Sequence, residues 1–402
     1  MSQKNHSKPH IMLAWYFDYH LFDYLHYLLP LLLSKFNVTL VTCDKQIMEK
    51  YSSISGLQIS YHPFARYLMR LMNNKILRPL GWIMGWLWTY SITRSVDYVV
   101  VPRDTRPFQH MVTSWKKSLV VRPALGYDDK LYLQHIYSKE IGFPDIMKFT
   151  RRQASIFDGL LGSNFLTTAR GPKDLKFYTV TGHDIKTFFI KLGIEEDKIF
   201  VVGNPNYEGL PNLSDYSLDL DLPKYSKLYV FFSSQVEVTA TECDKMLNYL
   251  RVIFDNDPDI LFLWKLHPTM EKDRVKKLSE WLLCKGFSRV YVIQAFKGDE
   301  ENARIIAMSN GVFVEESNVG LLACMQEKPL FVIDLGVAQK ENFFCLFDGI
   351  MDCRNPDNFK RCLDKSNYKD VINAQNLMLE KICLPNDSPC TKIVDIIEQS
   401  IL

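Results

Sequence analysis

In the second half of the chain, polar residues suited to holding an anion follow four short apolar runs. Ser233-Ser234-Gln235 follows KLYVFF, and His267-Pro268-Thr269 follows DILFLWKL. Glu315-Glu316-Ser317-Asn318, then Val319-Gly320, follows GVFV, and Leu335-Gly336 follows PLFVID. If those runs are strands of an open parallel sheet, all four groups stand at its carboxyl edge, where such sheets bind ligands. Helices starting there would aim N–H groups and a positive dipole at a phosphate. His267 is the only histidine after His183. The proline after it fixes the turn, holding the imidazole toward a phosphate or toward a nearby carbonyl. Ser317 suits a helix cap or a ligand contact. Glu316 suits a ribose, whose hydroxyls donate to a carboxylate, or a solvated acidic loop. The anion-site candidates are therefore Ser233, Ser234, Gln235, His267, Pro268, Glu316, Ser317, Asn318, Val319 and Gly320.

The first half offers acid–base chemistry. Gly126-Tyr127-Asp128-Asp129-Lys130 follows the run SLVVRP. A carboxylate at a strand end within reach of a hydroxyl can act as general base; an Asp there can equally cap the helix that follows. Asp128 is the first choice as base, with Asp129 as the cap. Rival carboxylates are Asp18, after HIMLAWYF, and Asp104, after VVVPR. Arg103 and Arg106 could bind an anionic acceptor or pair with surface acids.

These groups need elements to position them. Residues 10–15, 37–42, 57–62, 97–102 and 118–123 read as strands, the last two β-branched and nearly free of charge, as strands buried on both faces are. Residues 21–35 read as a helix with Pro30 inside it. After the strand 199–205 comes a polar, turn-rich stretch, 206–226, with no helical period. Strand and helix then alternate again, with helices over 240–255, 271–285, 299–309 and from about 318. The reading is α/β: two Rossmann-like parallel-sheet domains facing a cleft. Residues 1–205 form the first domain, 206–226 the linker and 227–402 the second, with a C-terminal helix over 389–400 crossing back.

Composition fits. A length of 402 residues suits two or three domains. Forty-eight Lys and Arg against 46 Asp and Glu leave a net charge of +2, which argues against a nucleic-acid binder. Nine cysteines with no C-x-x-C pair read as reduced thiols of a cytoplasmic protein. No metal and no cofactor is expected. One run, PLGWIMGWLWTYSIT at 79–93, is uncharged and carries three of the seven tryptophans. With Arg66, Arg70, Lys75 and Arg78 before it and Arg94 after it, it reads either as a core helix or as a segment lying on a membrane. In the second case residues 66–94, through Trp82, Trp86 and Trp88, give a peripheral contact on the inner face of the membrane.

The phosphate-loop, dinucleotide, nucleophile-elbow and zinc motifs are missing from the sequence. What remains resembles the GT-B glycosyltransferases, most strongly from Lys198 to Asp334: KIFVVGNPNYEG, LFLWKLHP and ARIIAMSNGVFVEESNVGLLACMQEKPLFVID. The last string also resembles the non-hydrolysing UDP-GlcNAc 2-epimerases. The K-x-H-P string is similar to that of bacterial enzymes moving Kdo, sialic acid or glycerophosphate from CMP- or CDP-linked donors. In the sialyltransferases an acidic motif and a Ser-Ser/Thr motif accompany it. Asp128-Asp129 and Ser317-Asn318 stand in those places, with Lys130 for the Gly and Asn318 for the second hydroxyl residue. The resemblance implies a metal-independent transferase of bacterial surface-polysaccharide assembly. It would take a CMP- or UDP-linked sugar in the second domain and a glycan or lipid-linked acceptor in the first. An epimerase, or a non-catalytic nucleotide- or sugar-binding protein, is the alternative.

Overall fold

A computed structural model describes residues 8–16, 24–74, 76–102, 107–122, 125, 127–138, 176–213, 222–233, 239–267, 272–294, 299–336, 342–363, 368–385 and 388–401. In chain order the first elements are β1 (His10–Ala14), α1 (Leu25–Lys35), β2 (Asn37–Thr42), α2 (Lys45–Tyr51), β3 (Leu57–Tyr61), α3 (Phe64–Asn73) and α4 (Arg78–Thr93). β4 (Tyr98–Val101), α5 (Pro107–Trp115), β5 (Ser118–Val121), α6 (Tyr127–Ser138), β6 (Lys176–Val180), α7 (His183–Lys191) and β7 (Ile199–Val201) follow. The second series is β8 (Leu228–Phe232), α8 (Ala240–Asn256), β9 (Leu261–Lys265), α9 (Lys272–Cys284), β10 (Val290–Ile293), α10 (Asp299–Met308) and β11 (Gly311–Val314). It ends with α11 (Val319–Met325), β12 (Leu330–Val332), β13 (Met351–Asp352), α12 (Pro356–Cys362), α13 (Tyr368–Ile382) and α14 (Pro389–Ile401).

Two compact units result. One comprises residues 1–129, 142–208 and 388–402, the other 130–141 and 209–387. These bounds differ from a single cut in the 206–226 stretch at two places, 130–141 and 388–402. The second has a clear cause. α14 carries Cys390, Ile393, Val394, Ile396 and Ile397 on an apolar face, and that face packs in one core with Leu25, Leu28, Leu29 and Leu32 of α1. The backbone N–H of Cys390 also donates to the Glu208 carboxylate at 2.8 Å. Burial of such a stripe is what holds most protein helices in place.

The first unit holds a parallel sheet in the order β3-β2-β1-β4-β5-β6-β7 among the described residues. The second holds a parallel sheet in the order β10-β9-β8-β11-β12-β13. Each order reverses direction once, between β1 and β4 in one sheet and between β8 and β11 in the other. Every residue of β4, β5, β8, β9, β11 and β12 is buried, which explains their apolar sequences, interrupted there only by Ser118 of β5 and Lys265 of β9. The helix α8 that follows β8 starts with a capping box, Thr239 accepting from the Glu242 N–H and Glu242 accepting from the Thr239 N–H.

The run 79–93 is helix α4, with Pro79 in its first turn. Trp82 and Trp88 are 6% and 8% exposed, so they do not face a membrane. Trp88 packs against Tyr16, His62, Phe64 and Phe108 with ring centroids 4.9–5.5 Å apart. Gly81 lets α4 lie against α3: a Cβ there would come within 2.7 Å of the Met72 nitrogen. The tryptophan side of α4 therefore belongs to the core.

Candidate functional site

Parallel register brings four strand ends of the second unit to one level. Phe232 pairs with Lys265 and with Val314, and Val314 pairs with Val332. Strands are about 4.8 Å apart, so the residues after β9, β8, β11 and β12 form one short row. The row spans the reversal between β8 and β11, the place where open parallel sheets leave a crevice for ligands. The row contains Ser233, His267 and Glu315–Asn318; Ser234, Gln235 and Pro268 lie outside the described residues.

Ser233 is buried, and its N–H donates to the Lys265 carbonyl at 2.9 Å. Leu266 N–H donates to the Ile293 carbonyl at 2.9 Å, carrying the ladder to the residue before His267, which is half-buried. Lys265 itself is buried at the end of β9. Burial lowers its ammonium pKa, and Glu301 and Asp299 of α10 oppose that shift. A buried cation thus stands beside the row.

After β11 the chain is pinned on several sides. Glu315 is buried, and its carboxylate accepts the Leu335 N–H at 3.3 Å, tying the end of β11 to the end of β12. The Asn342 amide donates to the Glu315 carbonyl. Lys130 donates to the Glu316 carbonyl at 3.2 Å while its ammonium sits 4.7 Å over the Phe343 ring. Glu316 is half-buried, and burial raises its pKa against the opposing charge of Lys130. At the start of α11, Val319 N–H reaches the Ser317 hydroxyl at 3.4 Å. The Gly320 and Leu321 N–H groups donate to the Ser317 and Asn318 carbonyls at 3.0 Å each. These three donors are engaged within the turn. Gly320 is a packing glycine, since a Cβ there would meet Phe344 at 2.8 Å and Leu330 at 3.1 Å.

A cation that sequence reasoning missed completes the edge. Gly336 follows β12 with φ +104°, and a Cβ on it would lie 2.9 Å from the Lys245 ammonium. Lys245 sits on α8, and among the described residues it has no ion-pair partner. Only the fold brings this helix residue to the strand ends.

Glu316 supplies a pH test. A raised carboxyl pKa means that the fold favours the neutral acid, so ionisation above the ordinary Glu range weakens the native state. Glu316→Gln removes that penalty. The variant is expected to melt above wild type at about pH 8 and level with it at about pH 4, where both side chains are neutral. Thermal melts across that range check it; a gain that stays constant with pH would mean that ionisation is not its cause.

In the first unit, Asp129 lies inside α6 and is 1% exposed. Its carboxylate is 2.6 Å from the Arg122 guanidinium. It therefore joins the end of β5 to the start of α6 instead of standing before the helix as a cap. Asp128 occupies the same first turn. His110 of α5 is buried, and burial together with the Lys176 charge pulls its pKa down to about 3; it is neutral at physiological pH. Asp18, Asp104, Arg103 and Arg106 lie outside the described residues. By chain position Asp18 follows β1 and Arg103 and Arg106 follow β4, the two strands that flank the reversal of this sheet.

No known family profile matches the sequence, and no curated protein matches it. Solved structures do resemble it. A Listeria monocytogenes protein assigned as a UDP-N-acetylglucosamine 2-epimerase matches with TM-score 0.61 and 16% identity, over 98% of this chain and 96% of that one. The Neisseria meningitidis UDP-GlcNAc 2-epimerase bound to UDP-GlcNAc matches with TM-score 0.56 and 12% identity, over 97% and 100%. WaaG, a glycosyltransferase of lipopolysaccharide biosynthesis, matches with TM-score 0.52 and 12% identity, over 96% and 99%. The two all-parallel α/β sheets are the architecture of the GT-B fold.

Proposed function

We propose that the protein is a GT-B glycosyltransferase that moves a sugar from a CMP- or UDP-linked donor to a glycan or lipid-linked acceptor in bacterial surface-polysaccharide synthesis. One observation carries the reading: four strand ends in register at the β8/β11 reversal, lined by Ser233, His267 and Glu316–Asn318 with Lys245 and Lys265 beside them. The donor phosphate would meet His267 and Lys245, and Glu316 would accept from the ribose. Fixed positive groups stabilise the charge that develops on a leaving phosphate, a role open to side chains without a metal. The acceptor hydroxyl needs a base, which the first unit would supply from Asp18 or Asp128.

The epimerase reading is equally compatible with the fold, since enzymes of both kinds share it. An epimerase works on one sugar nucleotide, whereas a transferase needs an acceptor. Incubation with UDP-GlcNAc alone, followed by NMR, separates them: formation of the C2 epimer would replace the transferase reading.

The nucleotide site is tested by melting the protein with CMP, CDP, UMP, UDP and GDP. A ligand at 100 times its Kd stabilises the native state by about 2.7 kcal/mol. His267→Ala is expected to leave the unliganded melt in place and weaken the best nucleotide at least tenfold. Undiminished affinity in the folded variant would remove His267 from the site.

A further inference from the structure

We infer that the α3–α4 pair is a docking face for an anionic membrane surface, and that its contact residues lie on the side of α4 opposite Trp82 and Trp88. Leu80, Ile83, Met84, Leu87 and Tyr90 recur at helical spacing along α4, and all are exposed, Leu87 at 66% and Ile83 at 59%. Phe64 and Tyr67 of α3, Ile76 and Leu77 between the helices, and Trp115 at the end of α5 are exposed too. Large apolar side chains gathered on one helix pair differ from the single ones scattered over ordinary surfaces, and such a patch marks an interaction site.

Charge selects the partner. Between Glu49 and Asp97 the chain has no carboxylate side chain and six cations: Lys50, Arg66, Arg70, Lys75, Arg78 and Arg94. Arg70 and Arg94 are exposed, and Arg94 is the C-cap residue that ends α4, seven residues after Leu87. A second copy docked by a two-fold axis would press this cationic face against itself. Anionic headgroups complement it, and aliphatic side chains inserted among cations are the pattern of a helix lying in the membrane plane. Among the described residues no helix is long and apolar enough to cross a membrane, so the contact is with the surface.

The test is co-sedimentation of the full-length protein with vesicles of equal parts phosphatidylglycerol and phosphatidylcholine. Wild type is expected to bind at about 0.1 M salt and to be largely released at about 1 M. Ile83→Glu with Leu87→Glu should reduce partitioning at least tenfold with an unchanged melting temperature, because both side chains are exposed. Arg70→Ser with Arg94→Ser should lose the preference for anionic over neutral vesicles. Leu377→Glu, at an exposed apolar position of α13, should bind as wild type does. The inference is overturned if wild type ignores the vesicles, if the Ile83/Leu87 variant binds undiminished, or if Leu377→Glu loses as much. It is also overturned if light scattering finds a wild-type dimer that the Ile83/Leu87 variant dissolves, since a second copy then covers this face.

Discussion

Asp18→Asn is expected to slow sugar transfer by about 10²–10⁴-fold, the usual contribution of a general base. At about 1.4 kcal/mol per factor of ten, that is about 3–6 kcal/mol of transition-state stabilisation. The reasoning is topological. Ligands sit where the strand order of an open sheet reverses, and in the first unit that is between β1 and β4. Asp18 follows β1 in the chain. Asp128 follows β5, one strand further from the reversal, and its neighbour Asp129 is already engaged with Arg122. Asp128→Asn is therefore expected to lose less than tenfold. Neither change should alter the melting shift given by the preferred nucleotide, because both residues lie in the first unit and the proposed nucleotide site in the second. Initial rates with donor and acceptor, beside the nucleotide melts, decide it. If Asp128→Asn is inactive and Asp18→Asn is not, the base belongs to the GYDDK loop and the topological argument fails.

The strands of both sheets were legible because their burial on two faces leaves unbroken β-branched and aromatic runs such as YVVV, LYVFF and GVFV. The helices α8 to α11 of the second unit were legible to within a residue or two at the ends given for them, while α12 and α13 were not read. What escaped reading has identifiable causes. β6 opens with Lys176, a buried cation that disguises the strand KFYTV as a polar start. β13 has two residues, too few for any period. α3 buries Ala65, Leu68, Leu71 and Met72 at helical spacing, but Phe64 and Tyr67 on its outer side blur the contrast between faces. The same effect hid the nature of α4. Its sequence is apolar all round, and composition could not say that Trp82 and Trp88 turn inward while Leu80, Ile83 and Leu87 turn out.

The candidate site was legible as far as it is local in sequence. Residues directly after strands can be found from the strands, and Ser233, His267 and the Glu315–Asn318 segment stand in one row. Contacts made across the fold could not be found this way. Lys245 reaches the strand ends from the middle of a helix. Glu315 accepts a backbone N–H from the neighbouring strand end. Gly320, read as an anion-site candidate, is also fixed by packing, since a Cβ there would meet the Phe344 ring. Each needs the distance between elements, which no local pattern encodes.

The Arg122–Asp129 pair is expected to be the most sensitive polar contact of the first unit. Asp129 is nearly inaccessible to water, while Arg122 is 18% exposed and stacks 4.9 Å over the Phe189 ring. Removing one partner of a buried pair leaves the other charge desolvated without compensation, at a cost of about 3–5 kcal/mol. Arg122→Ala and Asp129→Ala should each approach that range, the former more closely because it strands the nearly inaccessible carboxylate, whereas the guanidinium retained in Asp129→Ala is partly exposed and stacked on the Phe189 ring. Removing both leaves no uncompensated charge, so the double variant should be less destabilised than the sum of the singles. Urea unfolding followed by tryptophan fluorescence is suited to this measurement. Trp15, Trp82, Trp86, Trp88 and Trp115, five of the seven tryptophans, lie in the first unit. Single variants within about 1 kcal/mol of wild type, or additive losses in the double, would mean that the pair is a solvent-screened contact. Asp129 would then be available again as a candidate for chemistry.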